Sequence, residues 1–535
     1  MQAQLPPANQ LLAQVWELIR HKDIQHAVNA CQLMNQQYPE HANGWYASSF
    51  LALQLGGHDH ALKSIDRALS LQPGNQRWLL QKAACLQAAG LKQEAIILLR
   101  ETASNDYSDR TIWAEIGLLA SSLEQHDLSL KMFGKAIELN PDQGRLHFNL
   151  ATVHRFLGDL GQAESSCNRA IELDAGDYDA VFLRSSLRKQ SAKDNHIQEL
   201  LSVAESIDGN ASDNTIGNAL VNYSLAKEYE DLGESENSFK ALQKGADARR
   251  SSLQYDIEAD IEFIDAIIDV YSKEFMSTVH KGHNSSEPIF VLGLPRTGTT
   301  LVERILGSHD SVISAGELTN FTRHIASMAQ LIGQQTPGSQ QAGRNDMVRM
   351  TTRIDYRLLG EAYIKSTRPL TGQVPYFIDK FPQNTLNIGP IRLALPGAKI
   401  ILLQRDPMDS CYSMYKQLFT DIYQFSYDLQ ELGQYFIAHQ RLLNHWLDVA
   451  GDAIHVVHYE KLVTDTEAQV RSLIGFCELP WQDQCLDFHK NTQASTTASA
   501  SQIRQKLYAS SIGKWQDYEQ QLEPLRKMLD EAGCL

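Results

Sequence analysis

A period of 34 residues runs through the first third of the chain, placing a small residue at Ala27, Ala61, Ala95, Ser129 and Ala163. A turn residue recurs with it at Gly56, Gly90, Glu124 and Gly158, and a helix-ending position at Pro39, Pro73, Tyr107, Pro141 and Ala175. Aromatic or apolar residues fall between them at Trp45, Leu79, Trp113 and His147, then at Ile65, Leu99, Phe133 and Cys167. A small residue where two helices touch, a turn between them and a break beyond the second describe a helical hairpin. One such hairpin cannot bury its own apolar face, so neighbours must stack into a solenoid. This excludes a single closed globule for the N-terminal part.

The period and pattern resemble the tetratricopeptide repeat, with five units in register from residue 8 to about 177. A sixth unit from Tyr178 is degenerate, with Ala192 in the turn slot and no following proline. A further helical pair over Asn222–Arg250 carries Gly233 and Ser238 about seven residues out of register and reads as a capping unit. Two readings stand for the solenoid: a concave face that grips a peptide or partner protein, or a surface that packs on the rest of the chain or makes a homo-oligomer. Asp256–Phe275 then reads as one amphipathic linker helix, and His283–Pro288 as a loop. The division expected is 1–254 solenoid and 255–535 second domain, with the linker helix at 256–275 and a core at 287–525.

That core opens on Pro288–Leu306, PIFVLGLPRTGTTLVERIL. An apolar run, Ile289–Leu292, leads through Gly293–Gly298 into a helical pattern at Leu301, Ile305 and Leu306. A strand, a glycine-rich loop and a helix start together make a phosphate cradle, because loop N–H groups and the helix dipole attract negative charge. The spacing G-x-x-x-x-G is that of a P-loop, but Thr299-Thr300 stand where a nucleoside triphosphatase needs Lys-Ser/Thr. The cation sits inside the loop instead, as Arg296.

Val312–Ser314, Tyr376–Lys380, Ala398–Gln404 and Ala453–Tyr459 read as further strands of a parallel sheet, whose ligands bind beyond the carboxyl ends. Gly316-Glu317 follows one strand and opens a helix over Leu318–Leu331. Glu317 is either a first-turn carboxylate favoured by the helix dipole or a general base beside the loop. Gly333–Arg344 reads as a surface loop, followed by a helix to about Ile364. Lys380 closes its strand, where a lysine is either solvated or catalytic. Arg405 sits at a strand tip before Asp406 as N-cap, Pro407 at N1 and Asp409 at N3. Ser410 and Ser413 share a helix face one turn in. An arginine fork beside hydroxyls suits a second phosphate, while an Arg–Asp ion pair within the loop is the structural alternative. His455 and His458 face opposite sides of a strand and do not form one metal site. Gln493–Ser501 is a Ser/Thr/Ala loop followed by Arg504 and Lys506, either a flexible tether or a flap over a bound anion.

These segments together resemble the sulfotransferase family, enzymes that use 3′-phosphoadenosine 5′-phosphosulfate (PAPS) as donor. Pro295–Thr300 is similar to the family's 5′-phosphosulfate loop, Arg405-Asp-Pro with Ser413 to its 3′-phosphate motif, and Val457–Val463 to a third family segment. Arg296 in the loop, Gly316-Glu317 and Asp379-Lys380 resemble most the tyrosylprotein sulfotransferase branch and its bacterial tetratricopeptide fusions. The resemblance implies an all-α tetratricopeptide solenoid followed by an α/β, P-loop-like parallel-sheet sulfotransferase domain. It further implies Glu317 as general base, with Arg296 and Lys380 stabilising the sulfuryl group and leaving oxygen. Thr297, Gly298, Thr299 and Thr300 would hold the 5′-phosphate, and Arg405 and Ser413 the 3′-phosphate. Ser501, Arg504 and Lys506 are candidates for closing the site.

Sulfuryl transfer needs positioning and charge stabilisation more than covalent help. Arginine and lysine supply the charge, so no metal is expected, in keeping with the lack of a carboxylate cluster beside the loop in the sequence. The acceptor is a free hydroxyl on a peptide or protein, a glycan or a small metabolite. The rival functions are a P-loop small-molecule kinase, against which the missing lysine and metal carboxylate count, and a repeat scaffold with an inactive α/β domain. A net charge of −16 argues against nucleic acid as partner. Seven cysteines without a C-x-x-C pair, no apolar run long enough to span a bilayer and no leader pattern give the expectation of a cytoplasmic protein. Animal enzymes of the tyrosylprotein branch are membrane-anchored and secretory, so an extracellular protein-tyrosine acceptor does not carry over with the motifs.

Overall fold

The computed structural model describes residues 6–107, 109, 111–208, 214–278, 280–335, 343–419, 422–490 and 511–535. Contacts divide it into two compact units, Met1–Asp177 and Tyr178–Leu535.

In the first unit the repeat is realised as antiparallel helix pairs. Ala8–Arg20 pairs with Ile24–Gln37, Ala42–Gln54 with His58–Leu71, and Gln76–Ala88 with Lys92–Ala103. Thr111–Ser122 then pairs with His126–Leu139, and Gly144–Leu157 with Leu160–Leu173. All five small residues, Ala27 through Ala163, are fully buried where the two helices meet. The turn positions take left-handed backbone: φ is 74° at Gly56, 83° at Gly90, 59° at Glu124 and 83° at Gly158. Only glycine adopts this without strain, which explains the repeat's choice. Lys22 fills the same slot in the first hairpin at φ 59°, a turn the glycine pattern does not reveal. The helix-ending residues all fall just beyond the second helix of their pair.

The second unit begins with helices, Tyr178–Ser186, Ile197–Asp208, Thr215–Leu232 and Ser235–Ser251. The last two repeat the solenoid's hairpin geometry. Gly233 turns at φ 77°, and buried Ser238 donates its hydroxyl to Ala226 O at 2.8 Å, as Ser129 does to Gly117 O at 2.7 Å. The capping unit expected over 222–250 therefore has the repeat's form, yet it packs on the sheet-bearing unit. Tyr223 OH donates to Tyr415 O at 3.0 Å, and Arg250 grips Glu431 with two hydrogen bonds of 2.7 Å.

The single linker helix expected over 256–275 is two: Ile257–Val270, capped by Asp256, and Lys273–Ser277, capped by Ser272. The break follows from Ser272, whose hydroxyl accepts from Phe275 N and starts a new helix. Likewise the helix expected after Arg344 is divided into Arg344–Met350 and Tyr356–Thr371, the second capped by Asp355.

Five strands follow: β1 Pro288–Gly293, β2 Val312–Ser314, β3 Tyr376–Lys380, β4 Lys399–Gln404 and β5 Ile454–His458. They form one parallel sheet in the order β2-β3-β1-β4-β5. Helices cover both faces, so the strand interiors are largely apolar. Phe290, Leu292, Phe377, Ile400 and Leu402 enter one core, while Ile289, Val291, Ile378, Ile401 and Leu403 enter the other. The chain leaving β1, β2, β3 and β4 thus does so at the same edge, at the strands' carboxyl ends.

Candidate active site

β1 ends in a sharp turn that the backbone of Arg296 enters at φ 68°, an unusual conformation for a side-chain-bearing residue. Thr297 Oγ1 donates to Leu294 O at 2.7 Å and closes the turn. Gly298 follows at φ 102°, where a Cβ would lie 2.7 Å from the Tyr459 ring, so no larger residue fits. The Thr299–Leu306 helix starts from it. Thr297, Thr299 and Thr300 are buried. The loop's curl and the helix start place backbone N–H groups where an anion can be held.

Glu317 lies outside any helix. The next helix is Asn320–Gln335, because the chain past β2 continues to bond along β3: Ala315 N to Ile378 O and Lys380 N to Gly316 O, both at 2.9 Å. Leu318 N reaches Asp379 Oδ1 at 3.4 Å. This path delivers Glu317 to the end of β3, where its carboxylate accepts a hydrogen bond from the Lys380 ammonium. The helix-dipole reading of Glu317 gives way to contact with a lysine.

Lys380 is almost wholly buried, whereas the Glu317 side chain remains about half exposed. A buried ammonium requires anionic partners, and a second carboxylate supplies one: Glu303 Oε2 lies 4.0 Å from Nζ and Glu303 also accepts from Ser314 Oγ. Burial holds the Glu303 carboxyl above the usual range, with Lys380 and Ser314 pulling it back. Glu303 was not recognisable as functional in the sequence, where it reads as a polar residue on an amphipathic helix. Its position one turn into the helix that starts at the loop is the only signal. Sequence spacing also showed no carboxylates clustered by the loop, whereas the fold brings two to Lys380. Beneath them Asp379 is fully buried; it accepts from Tyr363 OH at 2.8 Å, and burial pushes its carboxyl up to about 7.

On the other side of β1, Arg405 leaves β4 with its side chain 6 % exposed. Nη1 donates to Arg296 O at 3.0 Å and Nη2 to Ser511 O at 2.5 Å, while the guanidinium sits 4.8 Å from the centre of the Tyr459 ring. Among the described residues no acceptor meets its buried Nε. Asp409 Oδ2 stands 3.9 Å from Nη2, an ion pair within the loop, and Asp409 also accepts from Gly513 N at 2.6 Å and Trp515 N at 3.3 Å. Asp406 caps the Pro407–Tyr415 helix as expected, accepting from Asp409 N at 2.8 Å. Ser410 and Ser413 lie buried on that helix. Tyr459 OH and Ser511 Oγ are 2.8 Å apart. Arg405 thereby ties the glycine loop to the segment beginning at Ser511. Tyr459, Ser511 and Asp409 are site residues that spacing did not single out as a group, because they meet only across long stretches of chain.

Gln383 and Leu386, on the turn that follows Lys380, help line a cavity of about 470 Å³ with Tyr255, Phe263, Tyr423 and Phe425. Ser501, Arg504 and Lys506 lie outside the described residues. His455 stacks on Phe476 with ring centres 4.9 Å apart, while His458 is exposed at the end of β5.

Comparison with known proteins adds an independent line. Residues 288–483 match the model of the sulfotransferase family, and residues 51–108 and 115–179 that of the tetratricopeptide repeat. A protein of Aquifex aeolicus named only as uncharacterized is 31 % identical over 393 residues, covering 72 % of this chain and 50 % of its own length. The chain thus spans half of that relative. Protein-tyrosine sulfotransferase 1 of Danio rerio is 28 % identical over 262 residues, 45 % of this chain and 71 % of that protein. The sulfotransferase domain of the Synechococcus PCC 7002 olefin synthase aligns over 46 % of this chain and 97 % of its own at 19 % identity, with a TM-score of 0.33.

Proposed function

On a chain that joins tetratricopeptide repeats to a sulfotransferase-family domain, we propose transfer of a sulfuryl group from 3′-phosphoadenosine 5′-phosphosulfate to an acceptor hydroxyl. The observation that carries the reading is the Glu317–Lys380 pair set at the same sheet edge as the glycine loop and Arg405. An acid–base carboxylate, a buried ammonium and two separate anion-binding features are what this transfer requires.

The donor supplies the sulfuryl group and leaves as adenosine 3′,5′-bisphosphate. The residues fit such a ligand, since the loop's N–H groups suit the 5′-phosphate and the Nε of Arg405, which meets no acceptor among the described residues, suits the 3′-phosphate. Arg296, Thr297, Gly298, Thr299 and Thr300 hold the first, Arg405 and Ser413 the second. Glu317 takes the acceptor's proton as its oxygen bonds to sulfur. Lys380 turns from Glu317 toward the bridging oxygen as the S–O bond to phosphate breaks, and Arg296 offsets the charge that develops. Glu303 keeps Lys380 partnered when Glu317 is protonated. Ser501, Arg504 and Lys506, outside the described residues, stay candidates for closing the site.

The aromatic cavity past Lys380 suits an acceptor with a flat apolar body, and a solenoid suits a polypeptide carrier of that hydroxyl. Among the described residues no helix is long and apolar enough to cross a membrane, and the seven cysteines are free thiols, six of them buried. A reducing, cytoplasmic setting accords with these thiols.

The test is the melting temperature with adenosine 3′,5′-bisphosphate, with ATP–Mg²⁺ and with neither, in wild type and Arg405→Ala. Stabilisation by the bisphosphate alone, lost in the variant, is the expected result. Stabilisation by ATP–Mg²⁺ instead would point to a kinase and overturn the reading.

A further inference from the structure

Three groups from distant parts of the sheet-bearing unit converge on one carboxylate of the Thr215–Leu232 helix. Lys416 Nζ lies 2.9 and 3.2 Å from the two oxygens of Glu230. Tyr412 OH donates to Glu230 Oε2 at 3.5 Å, and Lys514 Nζ stands 3.9 Å away. The Glu230 side chain is 17 % exposed, so water screens these contacts little.

Its partners belong to the two walls of the Arg405 site. Tyr412 and Lys416 sit on and just past the helix that carries Asp409 and Ser413. Lys514 lies between Gly513 and Trp515, the residues whose N–H groups Asp409 accepts, and three residues beyond Ser511, which accepts from Arg405. Lys416 takes Glu230 as its carboxylate, and Lys514, whose ammonium also bonds Asp517 at 2.6 Å, stands 3.9 Å from the same anion. Packing aligns the same walls: Tyr412 meets Tyr518 with ring centres 4.7 Å apart, and Tyr518 OH donates to Ser238 Oγ at 3.2 Å.

We propose that Glu230, contributed by the last repeat-like hairpin, is a positioning residue for the donor site: it clamps the Pro407–Tyr415 helix to the Ser511–Tyr518 segment and so sets the pocket around Arg405. Residue 230 lies outside the part of the chain that matches the sulfotransferase model, so the hairpin supplies a piece of the binding site. The clamp stands on the contacts alone, while its effect on the donor rests on the sulfotransferase reading.

The test uses the full chain with Glu230→Gln, which keeps size and removes charge, and Lys514→Gln, which opens the clamp from its exposed side. Two quantities are measured: hydrogen exchange of residues 511–518 without ligand, and the Kd of adenosine 3′,5′-bisphosphate. Both variants should exchange faster over 511–518 and bind about tenfold more weakly, equivalent to about 1.4 kcal/mol. In a Lys416→Ala, Lys514→Ala background, Glu230→Gln should add less than about a twofold further loss, since its charged partners are already gone and glutamine keeps an oxygen for Tyr412. Unchanged exchange over 511–518, or an unchanged Kd in wild type that does bind, overturns the proposal. Wild type that binds no bisphosphate overturns the donor assignment, and the exchange measurement then still decides the clamp.

Discussion

Asp379 should make the protein less stable as the pH rises toward neutrality, and Asp379→Asn should remove that loss. The carboxyl is fully buried at the end of β3, and burial lifts it from 3.8 to about 7, against the opposing pull of Tyr363 and Lys380. A raised folded-state value means that the native protein holds the proton more tightly than the unfolded chain. The associated stability is complete below the unfolded value, declines between about 4 and 7, and is gone above the folded value. At about 1.36 kcal/mol per unit over roughly three units, the ceiling is about 4 kcal/mol. Asparagine keeps an oxygen to accept from Leu318 N and presents an amide toward Tyr363. The assay is urea unfolding of the full chain from pH 4.5 to 8, read as the difference between wild type and variant at each pH. Glu303 and the histidines are common to both proteins and cancel in that difference. The difference should shift toward the variant by a few kcal/mol as pH rises, mostly between pH 4.5 and 7. Parallel curves would show that Asp379 titrates as an ordinary carboxylate, and the account of burial at this strand end would fail.

Two further outcomes follow from the site and the repeats. Glu317→Gln should lower kcat for sulfuryl transfer by about 10²–10⁴-fold, the range for loss of a general base, while the melting shift caused by adenosine 3′,5′-bisphosphate stays intact; loss of both together would place Glu317 in binding rather than proton transfer. Gly90→Ala should destabilise the first unit by about 1–2 kcal/mol through left-handed backbone strain alone, since φ is 83° and nothing lies within 4 Å of the added carbon. Thermal unfolding followed by circular dichroism would show it, and an unchanged midpoint would count against strain as the reason for glycine at the repeat turn.

What the sequence made legible is what local geometry dictates. The buried small residues, the left-handed turns and the helix ends of the repeats lie where a period of hairpins puts them, and each β-strand ends within a residue or two of its expected position. The shared edge of Glu317, Lys380, the glycine loop and Arg405 was also readable, because a parallel sheet sends every strand's carboxyl end the same way. The helix breaks at Ser272 and Asp355 were harder to read. Apolar spacing continues across both, and only a side chain competing for backbone N–H groups marks the new start.

The groups that spacing could not reveal share one property, that their meaning lies in a partner far away in the chain. Glu303 reads as an ordinary helix-surface acid until β3 brings Lys380 beside it, 77 positions later. Asp409 reads as a first-turn acid until Gly513 and Trp515 arrive as donors. Glu230 reads as a surface residue near the end of a repeat helix until Lys416 and Lys514 meet it. In each case burial makes the partner obligatory, because a charge removed from water costs several kcal/mol unless paired. Local pattern therefore placed at the strand ends the groups that the proposed transfer uses. The groups that hold those in place are fixed by tertiary electrostatics, and they are where substitutions outside the recognised motifs should alter donor binding.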